Sequence, residues 1–469
     1  MCYQQTVGYF KNYGMNLKRN YLLLFALLGF FEIGFSQEDA LKLSLNDAQA
    51  FALQNNRTIR SAKLDVSSAD KKVWETIAAG LPQLNFAANY QHQFTVPELS
   101  FGDFLNPESL PDGFITRDDI MNAFQPSPSV PLGVKNNTTF DFTLSQLIFS
   151  GEYIVGLQAM KVLKGVVEKT LVKTEDQTKE SVATTYYLIL VLDENQRVLE
   201  ESLKSTSQTY NELVKMNEEG FNEDTDVDQM KISLANLETL LNSIRTQRDL
   251  SIKLLKYQLG LDFDRIVGLS DSLPGIINQG NMQYLTSTEF NVKNNIDYQL
   301  VSNQEEVSAL MLRRQKSKLL PTISAFYRHQ EQTNAPAFNF AVKDIAGVSL
   351  NLPIITSGMR LSTIGQAKFD LHKSQLNVEN VEEGLILEYE TARNIYQTAY
   401  SNYVTNRESV ELSRRVYNKT VIKYKEGVSS SFELTQNQAQ FLTAESDYYN
   451  SVLTLLNAKA RLDRILSGN

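Results

Sequence analysis

The chain has 469 residues, a formal net charge of -9 and 42% hydrophobic residues. This composition is typical of a folded protein and not of a disordered one. The negative charge, without a basic stripe that would neutralise phosphates, argues against nucleic acid as a partner. The length is enough for two or three domains.

The N-terminal segment, residues 1–36, predicts a secretory signal peptide. Two basic residues precede an apolar run over 21–31, and small residues follow it. The run is shorter than the about 20 residues that a transmembrane helix needs. Translation starts at Met1 or at Met15, and a buried N-terminal helix is the alternative reading. The mature chain would begin near Gln37, so it would lack Cys2, the only cysteine, and contain no disulfide.

The rest of the chain is duplicated. Ser150-Gly151 recurs as Ser357-Gly358, and Glu219-Gly220 recurs at the same spacing as Glu426-Gly427. Leu81-Pro82 recurs as Leu320-Pro321 at a longer spacing, so the first half must hold an insertion after Pro82. We therefore expect a first repeat over 37–261, an inter-repeat linker over 262–284 and a second repeat over 285–469.

Each half predicts one very long helix, a tight turn and a second helix. The long helices are expected over 152–219 and 359–426, and at about 1.5 Å per residue each spans about 100 Å. They are too polar for lipid, so they must project into water. Apolar residues in them recur in heptads, as in a coiled coil, and Gly220 and Gly427 would end the helices at hairpin turns. Heptads alone fit a plain coiled-coil rod equally well.

Four segments between the helices predict membrane β-strands. They lie at about 83–95, 138–149, 322–331 and 344–354, and most of them alternate apolar and polar residues with period two. In the third segment the alternation is weaker, because Phe326 falls among polar residues. The predicted junctions between the strands and the helices are Pro82, Gly151, Pro321 and Gly358.

Four strands cannot close a barrel, and open sheet edges in lipid leave backbone groups unpaired. Identical copies must therefore complete the cylinder. Two copies give eight strands around a filled interior, whereas three give twelve strands and room for a lumen. The predicted fold is mainly α with a membrane β-barrel completed by other copies, and it is built from an internally duplicated helix–strand–strand–long helical hairpin. The long segment 96–136 would be an extracellular loop.

The order and spacing of several short motifs resemble those of a known family. The run Leu43-Ser44-Leu45-Asn46-Asp47-Ala48, then Asn55-Asn56 and Leu81-Pro82, with the Ser-Gly and Glu-Gly pairs, is similar to the outer membrane efflux proteins, the TolC-like channels. The resemblance implies a homotrimer in the cell outer membrane, with a trimeric 12-stranded barrel that contacts outer-membrane lipid. It also implies a periplasmic helical domain that forms an α-helical coiled-coil tunnel, with the inter-repeat linker in its equatorial region. It also implies a periplasmic adaptor (membrane fusion) protein and an inner-membrane pump as partners, and a passive exit duct for drugs, detergents or metals, or for type I secretion.

The same resemblance implies an iris of coiled coils that closes the periplasmic end. Glu433 matches an acidic ring of the family, whereas Gln436 is neutral where a second acidic residue is expected. Asp226 would be linked to Tyr424. Ser429 stands where the best-known member has a basic latch residue, so the latch would be only partly retained.

The sequence contains no catalytic constellation, so we expect no enzyme, no cofactor and no metal site. Its three histidines, His92, His329 and His372, are scattered, and it has neither a Walker loop nor G-x-G-x-x-G. The alternative function is a periplasmic coiled-coil adaptor or structural protein without a barrel. Such a protein would have one hairpin and a lipoyl-like domain, whereas this chain predicts two hairpins and four amphipathic strands.

Overall fold

Helices and strands follow one another in the same order in the two halves of the chain, except that the described first half begins with one additional helix. In the first half they are α1 (Leu45–Asn55), α2 (Arg57–Ala78), β2 (Gln83–His92), β5 (Asn136–Ser150), α3 (Gly151–Glu218) and α4 (Asp224–Leu259). In the second half they are α6 (Ile296–Ser317), β7 (Thr322–Gln332), β8 (Asp344–Asn351), α7 (Met359–Lys425) and α8 (Ser431–Leu466). The short elements are β1 (Leu41–Leu43), β3 (Glu98–Ser100), β4 (Ser129–Pro131), β6 (Val267–Leu269), α5 (Leu273–Gln279) and a 3₁₀ turn (Val292–Asn294).

This computed structural model describes residues 41–100, 118–119, 129–279, 289–335, 339 and 341–467. The signal peptide predicted over 1–36 lies outside these residues, as do most of the long loop and the end of the predicted linker. Among the described residues, no helix is both long enough and apolar enough to cross a membrane.

The four long strands form one antiparallel sheet with the order β2-β5-β7-β8. Their register sorts the side chains onto two unlike faces. The apolar face carries Leu84, Phe86, Tyr90, Phe142, Leu144, Ile323, Tyr327, Val348 and Leu350, most of them exposed. The polar face carries Asn85, Asn89, Asp141, Thr143, Arg328, Gln330 and Ser349. In the described part of the chain, the outer edges of β2 and β8 pair with no strand.

The irregular alternation in β7 has a local cause. Phe326 lies on the polar face directly opposite Gly347 of β8. A Cβ atom at position 347 would be 2.9 Å from the Phe326 ring, closer than real Cβ contacts allow. The glycine thus makes room for an aromatic ring on the polar face.

The two Ser-Gly junctions look alike in sequence but differ in conformation. Gly151 is the first residue of α3, and a Cβ there would be 2.7 Å from Leu320 Cδ1. Close packing therefore requires glycine at this junction. Gly358 instead has φ of +83°, in the left-handed region that favours glycine, and it precedes α7 in open space.

The heptad residues of the second half are mostly buried where α7 packs on α8. Tyr389, Tyr396, Tyr403, Val410 and Tyr417 of α7 are buried, as are Leu434, Phe441, Leu455 and Leu462 of α8. At the remaining heptad position of α8, Tyr448 is half-buried and its neighbour Tyr449 is buried instead. The seam therefore follows the heptads with one local change of position.

The largest cluster of buried side chains includes the middle of α3. There the residues between Val182 and Leu192 are buried almost without interruption, on every side of the helix. Tyr186 is completely buried, and its hydroxyl lies 3.0 Å from both the Leu43 carbonyl oxygen and Asp271 Oδ2. The other hydrogen bond to Asp271 Oδ2 comes from the Leu45 backbone N–H at 2.7 Å. This network fixes β1 and the start of α1 against the long helix.

Replacing Tyr186 by Phe should lower the free energy of unfolding by about 1–3 kcal/mol, because a buried carbonyl and a carboxylate lose a shared donor. Tyr187 provides the matched control. It is 5% exposed, but its hydroxyl has no hydrogen bond to the described residues, so Tyr187→Phe should change stability by clearly less. Denaturant titration of the full chain in detergent, followed by far-UV circular dichroism, measures both. Equal losses in the two variants would contradict the network.

Candidate functional site

The candidate site lies at the turns of the two helical hairpins. Gly220 and Gly427 have φ of +79° and +73°, the left-handed conformation that commonly ends a helix. In each turn the next residue donates its N–H to a carbonyl of the last helical turn: Phe221 to Met216 at 2.8 Å and Val428 to Lys423 at 2.9 Å. Both turns are therefore closed in the same way, and each reverses the chain into a second helix.

Asp226 joins the two hairpins. Near the start of α4, it accepts a short hydrogen bond from Ser431 Oγ at the start of α8. The same hydroxyl lies 3.3 Å from Gln229 Oε1. Ser431 is buried, whereas Asp226 and Gln229 are half-buried. This contact holds the two helix starts together inside one chain, and charge assistance from the carboxylate strengthens it.

Tyr424 lies near Asp226 without a hydrogen bond between their side chains. Burial, helped by the nearby charges of Asp226 and Glu212, raises the pKa of Tyr424 to about 12. The structure thus places the predicted pair close together but gives the direct contact to Ser431. The predicted direct link between Tyr424 and Asp226 stays a prediction for other states of the protein.

Glu433 and Gln436 are both exposed on the first turns of α8. Ser430 caps this helix by accepting the Glu433 N–H at 3.2 Å, and Ser429 Oγ donates to Glu433 Oε2 at 2.7 Å. A serine therefore occupies the predicted latch position and contacts the predicted acidic residue. A carboxylate near a helix N-terminus is also favoured by the helix dipole.

Farther from the turn along α8, a buried polar layer joins this helix to α3 and α4. Gln438 is 3% exposed; its Nε2 donates to Thr206 Oγ1 of α3 at 2.6 Å, and its Oε1 accepts from Ser233 Oγ of α4 at 2.9 Å. Such a layer is satisfied only when the helices keep this register. The heptad pattern did not reveal it, since Gln438 is an ordinary polar residue in sequence.

Farther from the turn, a buried carboxylate joins α7 to α8. Glu445 is 3% exposed and accepts a 2.5 Å hydrogen bond from Arg414. The Arg414 guanidinium also lies 5.7 Å from the Phe441 ring, which stacks on Tyr417 at 5.5 Å. The cation thus has a charged and an aromatic partner on the facing helix.

Three sets of polar contacts therefore act in series from the turns upward: Ser431 with Asp226, Gln438 with Thr206 and Ser233, and Arg414 with Glu445. The first two connect the hairpins to each other, and the third closes one hairpin on itself. The family resemblance identified Asp226, whereas no sequence pattern marks Ser431 or Gln438. A serine beside a helix cap gives no signal of a long-range contact.

Comparison with known proteins gives a family match over the C-terminal third of the chain. Residues 312–468 match the model of the outer membrane efflux proteins, which confirms the resemblance seen in the sequence. No curated protein matches the chain.

Solved structures share the fold across most of the chain. The Campylobacter jejuni CmeC outer membrane channel has a TM-score of 0.70 at 16% identity, covering 90% of this chain and 85% of its own. The Vibrio cholerae outer membrane protein VceC has 0.67 at 16% identity, covering 91% and 96%. The open state of the Neisseria gonorrhoeae MtrE outer membrane channel has 0.70 at 15% identity, covering 92% and 93%. At these identities the likeness shows the fold alone.

Replacing Arg414 by Leu should lower the free energy of unfolding by about 3 kcal/mol, because the buried Glu445 carboxylate loses its cation. This estimate is at the lower end for buried pairs, since the Arg414 side chain is 53% exposed. Arg415, an exposed neighbour, provides the control, and Arg415→Leu should have almost no effect. The double variant Arg414→Leu/Glu445→Leu should regain most of the loss. Denaturant titration in detergent measures all three, and a double variant as unstable as the single one would contradict the pair.

Proposed function

We propose that this chain, which carries an outer membrane efflux protein domain at residues 312–468, assembles as a homotrimer. Three four-stranded sheets would close a twelve-stranded barrel in the outer membrane, and the long hairpins would form a tunnel through the periplasm. The observation that supports this best is a sheet with one apolar face, one polar face and two unpaired edges.

The duplication supports closure by identical copies. Inside the chain, β5 of the first strand pair bonds to β7 of the second. The corresponding contact between copies joins β8 of one chain to β2 of the next. Each such contact satisfies backbone groups that would cost several kcal/mol each in lipid. Twelve strands leave an interior wide enough for a lumen, and the polar face would line it.

The transported compounds would be small molecules such as drugs, detergents or metals, or polypeptides in a type I secretion system. The duct would be passive and not an enzyme, and would work with a periplasmic adaptor protein and an inner-membrane pump. The alternative, an adaptor or rod without a barrel, leaves the exposed apolar face of the sheet without a purpose. Large exposed apolar patches mark lipid or protein contact sites.

The hairpin turns would form the periplasmic iris of this duct. Three copies of the exposed Glu433 around the axis would favour cations, with Gln436 adding no charge. In this chain the hydrogen bond between the two hairpins nearest to the turns is that of Ser431 with Asp226, with Tyr424 near Asp226. Opening the iris would separate these side chains.

Cysteine cross-linking tests the trimer, since the mature chain has no native cysteine. Leu350 on β8 shares the apolar face with Ala88, Tyr90 and His92 of β2. When Leu350→Cys is combined in turn with Cys at each of these three positions, one pair should form covalent dimers and trimers under oxidation. Asn89→Cys, on the opposite face, is the matched control and should not cross-link.

Non-reducing gel electrophoresis of outer-membrane fractions gives the readout. A ladder that ends at the dimer would contradict the twelve-stranded barrel. Monomers alone for all three pairs would favour the rod.

Replacing Ser431 by Ala should raise the ion leak of the closed trimer several-fold, because the hairpins lose the hydrogen bond between Ser431 and Asp226. Tyr424→Phe should also raise the leak, but less, since its hydroxyl makes no hydrogen bond to Asp226 in this structure. Conductance in planar bilayers measures both. Ser446→Ala, at an exposed site on the same helix, is the control. A leak unchanged in Ser431→Ala would remove this contact from the closing mechanism.

A further inference from the structure

The two strand pairs carry the same side-chain arrangement at the ends that lie away from the long helices. In the first, Tyr90 and His92 of β2 face Asn136, the first residue of β5. The Tyr90 hydroxyl donates to Asn136 Oδ1 at 3.1 Å, and His92 Nδ1 lies 2.7 Å from the same oxygen. Lys135 precedes Asn136, and its carbonyl accepts the Gln93 N–H at 2.8 Å.

The second pair repeats this arrangement with a carboxylate. The Tyr327 hydroxyl donates to Asp344 Oδ1 at 2.6 Å, and His329 Nδ1 lies 2.7 Å from that oxygen. Lys343 precedes Asp344 and its carbonyl accepts the Gln330 N–H at 2.7 Å. Two of the three histidines that look scattered in sequence, His92 and His329, therefore occupy like positions on the same face of the sheet.

The two ends differ in charge. Lys343 is paired with Glu331 at 2.9 Å, and Asp344 and Glu331 both approach His329. Two residues after His92, where Glu331 would correspond, stands Phe94, which is 91% exposed and packs edge-on against the His92 ring. Asn136 replaces the aspartate. Within the described part of the chain, Lys135 forms no ion pair.

The first group, which we call the Lys135 rim (Tyr90, His92, Lys135 and Asn136), thus combines hydrogen-bonding groups with an adjacent lysine that has no carboxylate partner among the described residues. Since the Asn136 oxygen only accepts, His92 Nδ1 donates to it, and His92 Nε2 is left available to bind a ligand. A lysine ammonium group next to imidazole and phenol groups is suited to phosphate.

The position on the sheet indicates which phosphate. Below the rim, the same face exposes Leu84, Phe86, Val348 and Leu350 by 58–73%. Aromatic side chains at the border between apolar and polar bands are typical of a membrane interface. Resting on the barrel proposed above, we infer that the Lys135 rim binds the phosphate of an outer-leaflet lipid headgroup. The self-neutralised rim around Lys343 does not.

Binding to the full-length trimer in detergent tests this inference, with diphosphorylated lipid A as the probe and dephosphorylated lipid A as its partner. His92→Gln/Lys135→Gln should weaken binding of the phosphorylated lipid by about tenfold, the size of one or two charge-assisted hydrogen bonds. The matched pair His329→Gln/Lys343→Gln should change it by less than about twofold. Wild-type protein should bind the dephosphorylated lipid about tenfold more weakly.

Two further variants keep the test decisive if the double variant misfolds. Lys135→Arg should retain binding, because the charge stays. Phe94→Glu should weaken binding, because it introduces the carboxylate that the second rim already has.

Equal losses in the two matched pairs, or equal binding of both lipids, would overturn the inference. Displacement of the lipid by millimolar inorganic phosphate would also overturn it, in favour of a free-anion site. Bilayer conductance of the same samples separates the two proposals. A trimer that conducts but does not distinguish the two lipids would contradict only the phosphate-binding role of the Lys135 rim. A chain that neither trimerises nor conducts would contradict the proposed duct.

Discussion

The main constraint on this molecule is the pair of unpaired edges on its four-stranded sheet. Strands β2 and β8 each leave one row of backbone N–H and C=O groups without a partner in the described chain. One face of the same sheet exposes large apolar side chains. Water would satisfy the edges but not that face, and lipid would satisfy the face but not the edges. The closed cylinder of the proposed trimer would satisfy both.

The helical part solves the opposite problem. Its helices are long and polar outside, and they bury tyrosines and leucines along one seam. Because the seam is made of many similar contacts, it alone would tolerate sliding of one hairpin on the other. The polar contacts of Ser431, Gln438 and Glu445 fix the register, since a shift would leave buried groups unpaired. These contacts cluster toward the turns. There a small relative movement of the hairpins would have the largest effect on the opening of the proposed iris.

Much of the fold could be predicted because its signals are local and repeated. The strand positions follow from period-two alternation, the long helices from heptads, and the turns from Gly220 and Gly427, whose φ values favour glycine. The contact of Ser431 with Asp226 could not be predicted, because it joins residues far apart in the chain through a hydroxyl of no distinctive pattern. The alternation in β7 is irregular for a similar reason. Phe326 is placed by Gly347 across the sheet, and not by its own neighbours in sequence.

Duplication explains both what the two halves share and where they depart. A copied strand pair begins with identical side chains, and each copy can then change without losing the fold, since the register is held by the backbone. The outer ends of the sheet illustrate this. Both ends have a tyrosine and a histidine at one oxygen acceptor, with a lysine directly before the acceptor residue in the chain. At one end Glu331 and Asp344 balance the charge of the lysine, whereas the other end has Phe94 and Asn136 at these places. The hairpin turns have diverged likewise: Asn217 closes the first by donating to Asp224 at 3.0 Å, while Tyr424 stands at that place in the second. In the proposed trimer, a ring of six similar units, such differences would make alternate units chemically distinct. The symmetric cylinder would then have sites that occur three times and not six.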